Sequence, residues 1–205
     1  MVRRRPGIPA DRRGQAFTLE AFMASLLLVG AIIFALQVTA VTPLTASTSS
    51  QHIENQQLQV ASGLLDSAVS NGSLREAVLY WNGSAGQFYG VNDEEGYYAV
   101  GGPPGLVFGE MLNRTFRARG IAFDVNVWYV GVDGDLRQEE MVNFGTPSDN
   151  AVSARRTITL FDDDRLTSPE SSDPVDEVGT FYAPDFAPDS GVYNVLRVEV
   201  VVWRM

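Results

Sequence analysis

The residue in the most unusual chemical position is Glu20, a carboxylate near the start of a long apolar run. The run extends from Ala16 to Val41, and only Glu20 and Gln37 interrupt it. A charge at the centre of a bilayer costs about 2.5–3.5 kcal/mol on insertion scales, so a carboxylate in such a run is expected to have a partner or a purpose. Glu20 is therefore the first candidate for a functional residue.

Residues suited to catalysis are sparse. The chain of 205 residues has no cysteine and a single histidine, His52, so thiolate chemistry and disulfides are excluded and a hydrolytic triad or a histidine-based zinc site is not expected. The glycine-rich stretch Gly101–Gly105 contains two prolines and lacks the lysine of a phosphate-binding loop. The run Asp162–Asp164 matches no defined calcium loop and is better explained as a solvated surface. We predict no enzymatic activity, no cofactor and no metal site.

The charge balance excludes one class of partner. All fifteen basic residues are arginine, and from Gln15 onward ten arginines face twenty-four acidic residues, a net charge of −14. Such a surface repels nucleic acid, so no nucleic-acid partner is expected. An excess of acids without lysine resembles proteins of salt-loving archaea, although a GC-rich genome that favours arginine codons would also remove lysine.

The apolar run is long enough to cross a membrane. About 20 helical residues span a hydrocarbon core of about 30 Å. Five arginines precede Gly14 and the acids follow the run, a distribution that predicts a cytoplasmic N-terminus and an extracytoplasmic remainder. A cleavable secretory signal, cut after Ala40 or Ala46, is an alternative. A twin-arginine signal at Arg12-Arg13 lacks the usual aromatic spacing.

The stretch RRGQAFTLEAFMASLLLVGAIIFALQVTAV, from Arg12 to Val41, resembles the leader and helix of type IV prepilins. The segment FTLE is similar to the bacterial motif FTLIE, and RGQ is similar to archaeal cleavage sites. The resemblance implies cleavage by a prepilin peptidase between Gly14 and Gln15, which makes Glu20 the sixth mature residue. Cleavage after Gln15 would make it the fifth, the usual place of the family's glutamate.

The same resemblance implies a function. In pilins the helix glutamate is thought to pair with the freed amine of an adjacent subunit as a filament grows. It implies an archaeal minor pilin or pseudopilin, single-pass in the cell membrane or in an extracellular filament, whose partners are the membrane and other pilin-like subunits. The alternative is an anchored or secreted surface domain that binds an unknown ligand, with a secreted hydrolase as a weaker third.

Four segments follow from these patterns: a basic leader at 1–14, an apolar helix at 15–42, a hinge at 43–51 where Pro43 ends or kinks the helix, and an extracytoplasmic head at 52–205. An apolar stripe predicts that the head opens with a helix. Its members are Ile53, Leu58, Ala61, Leu64, Leu65, Ala68 and Val69. A capping box, Ser73 to Glu76, predicts a second short helix through Tyr80.

The rest of the head predicts an α+β fold with helices packed on an antiparallel sheet. A helix is expected over Leu106–Arg119. Strands are expected as follows: Tyr97–Val100, Ile121–Val130, Met141–Phe144, Arg155–Phe161 and Val192–Trp203. An acidic, proline-rich loop is predicted at 162–190. Sequons predict N-glycosylation at Asn71 and Asn82, with Asn113 less suitable because it falls in a helix.

Overall fold

The computed structural model describes residues 12–91 and 95–204, and describes side chains within them except at 12–16 and 37–50. Contacts divide the chain between Gln51 and His52 into two compact units. We call the unit from His52 onward the head. The predicted leader lies mostly outside the described residues.

Helix α1 runs from Arg12 to Ser70. The backbone is therefore helical through 43–51, where the sequence predicts a hinge, and the helix does not end at Pro43. Proline removes one amide donor from a helix, and at this position the loss does not end the helix. The boundary between the two compact units nevertheless falls at the end of the predicted hinge segment.

Within the head, the last turns of α1 supply one side of the core. Ala61, Leu64, Leu65 and Ala68 are buried, as the stripe predicts, whereas Leu58 is 38% exposed. Helix α2 covers Ser73–Val78 and helix α3 covers Val107–Thr115, followed by a 3-10 turn at Arg117–Arg119. Gly120, in the left-handed region at φ 67°, ends that turn.

The head contains a two-stranded and a four-stranded antiparallel sheet. Strands β1 (Trp81–Asn82) and β2 (Gln87–Phe88) form the small sheet. The large sheet consists of β3 (Ile121–Val130), β4 (Leu136–Val142), β5 (Val152–Phe161) and β6 (Val192–Arg204). Its order is β4-β3-β6-β5, and all its pairs are antiparallel. The predicted α+β class, with an N-terminal apolar helix and an antiparallel sheet, is confirmed.

The alternation in β3 and β6 places one apolar face against the helices. Phe123, Val125 and Val127 of β3 are fully buried. Leu196, Val198, Val200 and Val202 of β6 are fully buried as well, and they join α1 and α3 residues in one core. The helices thus pack on this face of the sheet, as expected from the period-2 pattern.

Two local predictions are wrong. Tyr97–Val100 is not a strand, since only Tyr98 forms a bridge to Val142 at the end of β4. The capping box at Ser73 is not formed: Gly72 is the N-cap of α2 without a side-chain bond, and the Ser73 hydroxyl instead donates to the Ala68 carbonyl at 3.5 Å.

Helix α3 packs backbone-to-backbone against the stretch Gly101–Gly105. A Cβ built on Gly109 would lie 2.0 Å from the carbonyl oxygen of Pro103, and one built on Gly102 would lie 2.7 Å from the Cα of Gly109. Two facing glycines therefore permit this contact. The glycine-rich stretch thus serves helix packing.

Candidate functional site

The apolar segment of α1 presents hydrophobic side chains to its surroundings. Residues Phe17–Leu36 have a mean hydropathy of 2.3, and none is buried. Phe17, Phe34 and Leu27 are each at least 70% exposed. Within the described part of the chain, this is the one helix long and apolar enough to cross a membrane. An apolar surface of this size is well beyond what single exposed residues account for.

Glu20 lies in this exposed segment, as the sequence predicts. Gly14 and Gln15 lie in the first turns of the same helix, but their side chains are outside the described residues. At a rise of about 1.5 Å per residue, Gly14 and Glu20 are separated by about 9 Å along the axis. His52 is helical and exposed, and it is the first residue of the head.

The two predicted glycosylation sites differ in exposure and in the hydrogen bonds that their side-chain amide nitrogens form. Asn71 is exposed in the turn after α1, and its Oδ1 accepts a bond from the Ser73 amide at 2.9 Å. Within the described part of the chain, its Nδ2 has the Met111 sulfur, at 3.9 Å, as its one partner. Asn82 lies in β1 and is half-buried; its Nδ2 donates to Glu170 at 3.3 Å. Asn82 also accepts bonds from the amides of Ser84 and Ala85. The geometry therefore favours Asn71 as the acceptor.

One ion pair ties the end of α1 to the sheet. Arg156 of β5 donates to both carboxylate oxygens of Asp66, at 2.5 and 2.6 Å, and to the hydroxyl of Ser62 at 2.7 Å. The hydrogen bonds from Arg156 lower the pKa of Asp66 below its ordinary value. Such a bidentate pair fixes direction as well as distance. It holds the part of α1 within the head against β5.

The acidic segment, which we define as residues 162–190, is built into the head rather than being a detached loop. Leu166, Val175, Phe181 and Ala183 within it are buried. Its aromatic residues join a cluster in which Tyr182 has ring neighbours at 4.2–5.7 Å. These neighbours are Trp81, Phe88, Tyr129 and Phe181. Burial raises the pKa of Tyr182 well above its ordinary value.

The sequence did not predict this cluster, because the acids and prolines of residues 162–190 indicated a loop and the apolar residues among them were not considered. The signal that marks it is the recurrence of aromatic residues at the Trp81–Tyr89 hairpin and at Phe181-Tyr182. Both segments lie outside regular helices and carry too many large apolar side chains for a solvated loop.

The carboxylates of the acidic segment do not assemble into a metal site. Asp164 forms an ion pair with Arg75, and its Oδ2 also accepts a bond from the Phe161 amide at 2.8 Å. Burial, together with Asp185, Asp176 and Asp163, raises the pKa of Asp162. Among the residues described, no group of three or more histidines or acids has a geometry that would hold a metal ion.

Comparison with known proteins gives one family. A model described as "Family of unknown function (DUF7288)" matches residues 13–202, which include the apolar helix and nearly the whole head. No curated protein matches the chain. No solved structure matches it either.

Proposed function

We propose that this chain, which belongs to the family of unknown function DUF7288, is a type IV pilin-like subunit, a minor pilin or pseudopilin. It would assemble through its N-terminal apolar helix into a surface filament or a secretion-type assembly. The observation that carries this proposal is α1 itself. One helix of 59 residues contains an exposed apolar segment with an internal glutamate and supplies part of the core of an α+β head.

The continuous helix supports the proposal further. Pilins often have an unbroken stem helix, and the sequence argued against one because of Pro43. The helical backbone through 43–51 removes that objection. The arginines before the apolar segment favour an N-terminus in the cytoplasm and a head outside the cell.

The chemistry of Glu20 gives the helix its proposed role. Cleavage between Gly14 and Gln15 by a prepilin peptidase would create a free amine on the same helix as Glu20. In an assembly, the amine of one subunit would pair with Glu20 of the next, which repays the cost of placing a carboxylate in an apolar environment. The acidic head and the absence of lysine fit an archaeal, halophilic cell surface, and Asn71 and Asn82 fit an exported glycoprotein.

The cleavage is tested by the intact mass of the protein extracted from membranes of its native host or of a host with a prepilin peptidase. We expect loss of residues 1–14, because the peptidase cuts before the apolar helix and the helix is retained. A Gly14→Leu variant is the control and should keep its leader. A full-length mass for the wild type would contradict the proposal and leave a permanently anchored domain. Cleavage after Ala40 or Ala46 would indicate a secreted one.

The role of Glu20 is tested by Glu20→Val. We expect the variant to remain in the membrane but to lose co-assembly with other pilin-like subunits. Removing one partner of a buried ion pair typically costs about 3–5 kcal/mol, which corresponds to a fall in assembly of about two orders of magnitude or more. Co-purification of tagged and untagged subunits measures this. Glu54→Val, which removes a carboxylate from the same helix but within the head, is the matched control. Equal assembly by Glu20→Val and wild type would leave Glu20 without the proposed role.

A further inference from the structure

The head contains a pocket of about 420 Å³ between helix α1, the end of α3 and the end of the large sheet. Arg204 lies directly opposite Ile121 in the register of β3 and β6, so it shares the face of the sheet on which the helices pack. We call this site the arginine pocket. The lining residues that matter here are Gln57, Val60, Phe116, Arg119, Ile121 and Arg204.

The charge of the arginine pocket is opposite to that of the head. From His52 onward the chain has twenty-three acids and ten arginines, yet none of the described lining residues is acidic. Arg75, Arg137, Arg155 and Arg156 each pair with a carboxylate. Arg119 and Arg204 have no such partner among the described residues, and both side chains are exposed. Two guanidinium groups are therefore available to an anion.

Gln57 supplies a second, independent observation. It lies four residues before the buried Ala61, at a position of the α1 stripe where an apolar residue would be expected. Gln57 is only 7% exposed, and its Nε2 is buried without a hydrogen-bond acceptor. An unpaired buried donor destabilises a protein, and most buried donors are paired. The amide needs an acceptor that the described residues do not provide.

We propose that the arginine pocket binds an oxyanion, a carboxylate or phosphate group on a carrier that is partly apolar. Arg119 and Arg204 would pair with its oxygens, since a guanidinium matches the geometry of both groups. Rotation of the Gln57 side-chain amide would let Nε2 donate to one of these oxygens. Val60, Phe116 and Ile121 would contact the carrier. This inference does not depend on the proposed pilin role.

Two sources could supply such a group. One is a free small anion. The other is an acidic side chain of a second copy of this chain, because the acidic segment exposes Asp176 and Glu177, whose carboxylates form no hydrogen bond or ion pair within the described part of the chain. Both sources present a pair of anionic oxygens to the pocket. The experiment described next distinguishes between them.

The test uses the full-length protein in detergent, with tryptophan fluorescence as the readout of thermal unfolding. All three tryptophans, Trp81, Trp128 and Trp203, lie in the head. Succinate and inorganic phosphate replace chloride at constant ionic strength. A ligand that binds only the folded state raises the midpoint with concentration, and we expect a rise of several degrees for the wild type near saturation.

Three variants and a control make the test specific. Arg119→Gln and Arg204→Gln should abolish the anion-dependent rise. Gln57→Met should abolish it too, but should raise the midpoint without anion, because the unpaired donor is gone. Arg117→Gln, on the same 3-10 turn but outside the lining, should respond as the wild type does. A loss with Arg117→Gln as large as that with Arg119→Gln would show general charge screening and overturn the proposal.

Sedimentation velocity of the same samples identifies the source. If a second copy supplies the carboxylate, the wild type self-associates, and Gln57→Met, Arg119→Gln and the pair Asp176→Asn with Glu177→Gln each reduce that association. A midpoint rise with succinate or phosphate and no self-association identifies a free anion. A wild type with neither an anion response nor Gln57-dependent association would overturn the proposal.

Discussion

Gly109→Ala is expected to lower the free energy of unfolding of the head by about 3 kcal/mol, at the upper end of what overpacking a core costs. Alanine is the better helix former by about 0.5–1 kcal/mol, so helix propensity alone predicts the opposite sign. The new Cβ, however, would lie 2.0 Å from the Pro103 carbonyl oxygen and 2.9 Å from its carbon. Backbone cannot move aside as a flexible side chain can, so α3 would have to separate from the glycine-rich stretch.

Gly63→Ala is the matched control, because Gly63 lies in helix α1 with nothing within 4 Å of a built Cβ. It should raise the free energy of unfolding by about 0.5–1 kcal/mol. Denaturant titration in detergent, followed by tryptophan fluorescence, measures both variants. Similar effects of the two substitutions would mean that the backbone contact between α3 and Pro103 does not constrain the fold.

Asn194→Ala is expected to destabilise the head by about 2–4 kcal/mol, because several backbone groups would lose their partners. Asn194 is fully buried near the start of β6. Its Oδ1 accepts bonds from the amides of Val130 at 3.1 Å and Val195 at 2.8 Å. Its Nδ2 donates to the carbonyls of Val130 at 2.9 Å and Pro184 at 2.7 Å. The side chain thus joins the end of β3 and the acidic segment to β6.

Asn126→Ala is the control within the same sheet. Asn126 lies in β3, and its side chain accepts one bond from Gln138 at 2.9 Å near the surface, where water can replace it. A change within about 0.5 kcal/mol is expected. Asn194→Asp should also destabilise the head at neutral pH, because it keeps the acceptors but loses both donors. A loss for Asn194→Ala no larger than that for Asn126→Ala would show that the four bonds are not needed.

Strands β3, β5 and β6 were the most predictable part of the fold, whereas only the last two residues of β4 were predicted as strand. Strict alternation of apolar and polar residues marks β3 and β6 nearly to their ends, because one buried face fixes the period. The missed features depend on tertiary contacts that a local pattern does not contain. One example is the helix that continues through Pro43. A second is Ser73, whose hydroxyl bonds to the Ala68 carbonyl instead of forming a capping box. A third is Tyr98, which forms a single bridge to the end of β4 instead of lying in a strand.

The candidate sites also fall into one that the sequence predicts and others that depend on tertiary contacts. Glu20 is visible in the sequence because a charge inside an apolar run is conspicuous, and its exposed surroundings were predictable from composition. The arginine pocket was not predictable, because Gln57, Arg119 and Arg204 are separated by 62 and 85 positions of the numbering and only the packing of α1 against the sheet places them together. The aromatic cluster around Tyr182 was missed for the same reason.

The position of β6 in the sheet has a consequence for how the protein is made. β6 comes last of the four strands along the chain, yet it lies between β3 and β5 and pairs with both. Synthesis of β3, β4 and β5 therefore leaves β3 and β5 without the strand that joins them, with their apolar faces and edges open to aggregation. If the head is exported, the large sheet can be completed only after β6 has crossed the membrane. The head would then be translocated in an unfolded state.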